Sequence, residues 1–128
     1  MEMSEMLNIQ CKNIEEEICK AIAKVKEELD GLNIERTCKI YSSYVLRELH
    51  NRHIVARIIN TKSVDLNYEH EFVMATDGKN NYIIDLTYRQ FGQIEPQELN
   101  NNGFIKCTQK KFYKYINAIN SLNSHKKK

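Results

Sequence analysis

Cys38, His70 and Asp85 are of the types that thiol-based amide cleavage requires. The thiol must ionise, a base must take and return a proton, and a carboxylate must hold that base in one tautomer. A free thiol ionises near pH 8.5, and a helix N-terminus or a nearby imidazolium lowers that value by several units. Thr37 reads as an N-cap residue, which puts Cys38 in the first turn of a helix. The role this spacing suggests is nucleophile for Cys38, general base and acid for His70, and orienting group for Asp85.

A hairpin must bring His70 and Asp85 together. The dipeptide Asp77-Gly78 suits a two-residue turn, because both central residues then need positive φ. Such a turn pairs Thr76 with Lys79, Val73 with Tyr82, and His70 with Asp85. Directly opposed residues share a face, with β-carbons about 4.5–5.5 Å apart. His70, Phe72 and Met74 lie on one face with Asn81, Ile83 and Asp85, while Glu71, Val73 and Ala75 lie on the other. A four-residue loop would make His70 and Asp85 diagonal neighbours, still on one face.

The rest of the chain supplies the frame. Ile14, Ile18, Ile22, Val25 and Leu29 recur at helical spacing within residues 11–30, with Gly31 at the C-terminal cap. Ile40, Tyr41, Tyr44, Val45 and Leu49 stripe a second helix from Thr37 to His50. A β-branched run from Ile54 to Ile59 predicts a strand. Pro96 can start a short helix, Asn100 to Gly103 reads as a turn, and Phe104 to Thr108 as a last short strand. Phe112, Tyr115, Ile116, Ile119 and Leu122 mark a closing helix, with a frayed tail expected over residues 124–128. Helices followed by antiparallel strands predict an α+β fold, in one domain over the 128 residues.

Composition narrows the partners. A net charge of +2, no basic stripe and no tryptophan argue against nucleic acid. No run of eighteen apolar residues predicts a membrane span, and residues 1–8 lack the features of a secretion signal. The expectation is a cytoplasmic chain whose four cysteines, Cys11, Cys19, Cys38 and Cys107, are reduced. His50 and His53 form the single close ligand pair, which predicts no metal, and no cofactor is expected. Cys11, Cys19 and Cys107 read as small hydrophobes in apolar elements.

The segment Asp85-Leu86-Thr87-Tyr88-Arg89-Gln90-Phe91, following a histidine-bearing strand, resembles that of papain-fold bacterial effectors and toxins. The nearest likeness is to the dermonecrotic-toxin papain-like domain, with effector cysteine proteases and glutamine deamidases around it. The likeness covers residues 36–91. Its fifteen-residue step from His70 to Asp85 is familiar in that group, while the step from Cys38 to His70 is closer to compact transglutaminase-like leader peptidases. It implies a papain-like or transglutaminase-like core, the same triad, and Gln90 near the oxyanion beside the Cys38 backbone N–H. Papain-type enzymes carry a glutamine just upstream of the nucleophile, where the amide here is Asn33. Lys39 and Ile40 follow Cys38 in place of the usual aromatic residue. Tyr88 and Phe91 are candidates to line a substrate groove, or else to pack in the core.

The expectation is a cysteine hydrolase acting on a protein or peptide, as a protease or a glutamine deamidase. The alternatives are acyl transfer to an amine and a non-catalytic binding domain that keeps the fold.

Overall fold

The computed structural model describes residues 14–33, 37–61, 70–88 and 97–126. Two helices come first, α1 (Ile14–Glu28) and α2 (Cys38–Asn51). They are followed by β1 (Val55–Asn60), β2 (Glu71–Thr76) and β3 (Asn81–Ile84). The short α3 (Gln97–Asn102), β4 (Phe104–Cys107) and the long α4 (Gln109–Lys126) complete the described elements. The fold is α+β, and its four strands form one antiparallel sheet in the order β1-β2-β3-β4.

Both faces of the sheet are covered. Val73, Ala75, Tyr82 and Ile84 point to one side, where they pack with Ile18, Ile22 and Val25 of α1 and Val45 and Leu49 of α2. Phe72, Ile83 and Ile105 point to the other, against Tyr88, Leu99 and the α4 residues Tyr115 and Ile119. The sheet is therefore the middle of three layers. This follows from β2 and β3, whose alternate residues are apolar on both faces.

The hairpin differs from the two-residue expectation. Thr76 pairs with Asn81 and Val73 with Ile84, leaving a four-residue loop, Asp77 to Asn80. The Asp77 side chain decides this. Its Oδ1 accepts the backbone N–H groups of Lys79 at 2.8 Å and Asn80 at 2.7 Å, so the aspartate closes the loop from within. Gly78 takes the positive φ of 92°. Continuing the register puts Asp85 opposite Phe72, diagonal to His70 and on the same face.

Two helix ends bear on the site. Thr37 occupies the N-cap position of α2, but its hydroxyl makes no cap bond and instead donates to the Asn33 carbonyl at 2.7 Å. At the other end, Ile54 N–H bonds Leu49 O and His53 N–H bonds His50 O, with His53 at φ 62°. That is a Schellman closure with histidine in the left-handed place. Asn100 to Gly103, expected as a turn, is the end of α3 with Gly103 as its cap at φ 83°. The closing helix continues to Lys126, so the tail expected to fray from Ser124 is helical that far.

Candidate functional site

His70 immediately precedes β2, and its main chain is fixed from β1. The Thr61 N–H donates to His70 O and the His70 N–H to Thr61 Oγ1, both at 2.8 Å. Asp85 follows β3, and its N–H donates to Gly103 O at 2.9 Å. The two side chains meet as the shared face requires, His70 Nε2 to Asp85 Oδ2 at 2.7 Å. His70 is 1% exposed and Asp85 4%.

The third member arrives from α2. Cys38 is half-buried at the head of the helix, near enough to the His70 side chain and the Glu71 backbone N–H for both to act on its thiol. The structure thus brings the three predicted residues together, Cys38 half-buried and His70 and Asp85 buried.

The electrostatics follow from that chain. Burial raises the Cys38 thiol, but the bonds from His70 and Glu71 N–H and the imidazolium charge outweigh it, so the thiol lies below its ordinary value. Burial lowers His70, yet the charge and hydrogen bond of Asp85, with Cys38 in support, push it up to about 10. Asp85 is raised by its burial and lowered more strongly by His70, by Tyr115 and by the Thr87 N–H, and stays ionised. His70 therefore carries its proton at neutral pH, and the lowered thiol favours the thiolate beside it more than a free cysteine would.

Asp85 is held by more than histidine. Thr87 donates to Oδ1 from its N–H and from Oγ1, each at 3.1 Å. The Tyr115 hydroxyl donates to Oδ2 at 2.6 Å. Neither residue was assigned a site role from sequence. Tyr115 sits at helical spacing with Phe112 and Ile119, so it reads as one more apolar position. The missing clue was that a buried phenol needs a partner.

The remaining candidates fall differently. Tyr88 is fully buried, its ring tilted against that of Tyr115 at 5.2 Å between centroids. It packs with Phe72, Ile83 and Tyr115, as the core-packing alternative for it expects. Asn33 is exposed where the chain leads into α2, and its carbonyl holds Thr37. Gln90 and Phe91 lie outside the described residues, as does Cys11. Cys19 is exposed on α1, and burial raises the Cys107 thiol. Among the described residues, no three His, Cys, Asp or Glu side chains are grouped to hold a metal ion. No helix there is long and apolar enough to cross a membrane.

No protein-family model, curated protein or solved structure matches the chain.

Proposed function

We propose that the protein is a cysteine hydrolase that breaks amide bonds of a protein or peptide, on a papain-like or transglutaminase-like core. One observation carries the reading. The Cys38 thiol, lowered, faces a His70 imidazole, raised, and Asp85 backs that imidazole at 2.7 Å.

Each residue has a defined task. Cys38 Sγ attacks the amide carbonyl, and the developing oxyanion is met by the Cys38 backbone N–H. At the first position of α2 that amide has no intrahelical acceptor. Gln90 is the second donor implied by the family resemblance. His70 delivers its proton to the departing nitrogen as the C–N bond breaks, leaving a thioester on Cys38. Water then attacks the thioester, His70 takes the water's proton, and the C–S bond breaks to release a carboxylate and restore the thiolate. Peptide cleavage and glutamine deamidation share these steps and differ in the amide admitted.

Thiol labelling tests the reading. At pH 6 Cys38 is expected to alkylate at least tenfold faster than Cys11, Cys19 and Cys107, and His70→Ala to remove that lead. Equal rates at all four thiols would exclude a catalytic cysteine. Mass spectrometry of treated candidate substrates then separates the outcomes. New termini mean proteolysis, and a gain of about one mass unit at an intact glutamine means deamidation, an amide becoming an ionisable carboxyl.

A further inference from the structure

The closing helix reaches the candidate site through one side chain. Tyr115 lies in the middle of α4, fully buried, with its hydroxyl 2.6 Å from Asp85 Oδ2. That is the same oxygen His70 Nε2 contacts from the other side. We infer that Tyr115 is a positioning residue of the catalytic group, whose hydroxyl keeps Asp85 ionised and so keeps the proton between Asp85 and His70 on the imidazole. The inference rests on the hydrolase reading, since it assigns Tyr115 a part in readying Cys38.

The His70–Asp85 pair is dry. Where neither side chain meets water, an imidazolium beside a carboxylate competes with the neutral pair, in which the proton has crossed to the oxygen. Donors aimed at the carboxylate favour the ionic form. Asp85 has four: His70 and Tyr115 on Oδ2, and the two Thr87 groups on Oδ1. They match the roughly four lone-pair sites of a carboxylate. Without Tyr115 one site is empty on the very oxygen that the proton would reach. A proton that crosses leaves Cys38 facing a neutral ring, and the thiolate loses its counter-charge.

The surroundings fit a fixed donor. The Tyr115 ring meets Phe72 edge-on at 4.9 Å and Tyr88 at 5.2 Å, so sheet and loop aim the phenol from two sides. The titratable groups acting on it are Asp85 after β3, which it shares with His70, together with Tyr88 and, by charge, Cys38 from α2. Burial, then the charge of Asp85, push the phenol well above its ordinary value, so it remains a donor throughout the range where Cys38 titrates.

The test is the pH profile of Cys38 alkylation by iodoacetamide in the full chain, followed by peptide mass spectrometry. Tyr115→Phe keeps the ring contacts and removes the hydroxyl. Its acid limb is expected to move up by about one pH unit, roughly a tenfold slower reaction on that side, with the alkaline plateau unchanged. A ring-fluorinated tyrosine at position 115, a stronger donor, is expected to move the limb the opposite way, and serves if Tyr115→Phe does not fold. Ile119→Val, which loosens the same core without touching a hydrogen bond, leaves the limb in place. A Tyr115→Phe profile that superimposes on wild type overturns the inference, as does an equal shift in Ile119→Val. A wild-type Cys38 no faster than Cys19 and Cys107 overturns the hydrolase reading beneath it, a result distinct from either.

Discussion

Cys38 and His70 shift in opposite directions, so their contributions to stability oppose each other across pH. His70, raised from 6.5 to about 10, stabilises the fold fully below pH 6.5 and loses that contribution as pH rises through 10. Cys38 lies below 9.0, so its contribution is complete above pH 9.0 and is lost as pH falls through the lowered value. Between the lowered Cys38 value and 9.0 one gain offsets the other loss, so the stability of the wild type is expected to stay level over that span and to fall from 9.0 towards pH 10. Cys38→Ser removes the rising half. Its Tm is expected to decline from about pH 6.5 upward, which thermal unfolding over a pH series measures; parallel curves for the two proteins would exclude the ion pair. The residues of this pair were legible in the sequence because each is the required chemical type and sits where a helix start or a strand end would place it. Tyr115 was not, because its spacing alone makes it look apolar.

At the scale of elements, the hairpin carried the site even though its turn was misread. Asp-Gly signals a two-residue turn by backbone preference, and the Asp77 carboxylate overrides it by capping two N–H groups in a longer loop. The face of each residue survives, since strand alternation has a period of two and the loop gained an even number of residues. The junction of α3 and β4 was read as a turn for a related reason: asparagines and glycine also end helices. That junction holds the site, because the Gly103 carbonyl accepts the Asp85 N–H. Gly103→Ala forces a side chain into φ 83° and brings its Cβ within 2.6 Å of a Leu86 methyl. Leu86 can swing its methyl aside, but the backbone cost stays. The expected loss is about 1–2 kcal/mol in urea unfolding, with slower Cys38 alkylation as Asp85 is displaced. Unchanged stability would show that the junction tolerates a side chain.

Across the whole molecule, the three layers divide the work. The α1–α2 side presents the sulfur, and the α4 side holds the carboxylate, with the sheet between them. Among the described residues, sequence patterning located the helices and strands but did not show that the closing helix crosses to the opposite face, because apolar residues on both sides of β2 and β3 do not say which helix covers which. Deleting residues from Gln109 onward uncovers Phe72, Ile83 and Ile105, at roughly 1.5–3 kcal/mol for each large apolar side chain. The sum is comparable to the roughly 5–15 kcal/mol of a typical domain, so the truncated chain is expected to lose its cooperative melt by circular dichroism. A native-like melt would mean that α4 is dispensable for the fold. The pair formed by Thr61 and His70 has a different consequence. Its two bonds of 2.8 Å pin both ends of the connection between β1 and β2, so the length and composition of that connection are uncoupled from the aim of the imidazole. Doubling a loop's length costs only about 0.6 kcal/mol of closure entropy. Changes of sequence between Thr61 and His70 are thus expected to leave the His70–Asp85 contact in place, because the clasp at the two ends sets it.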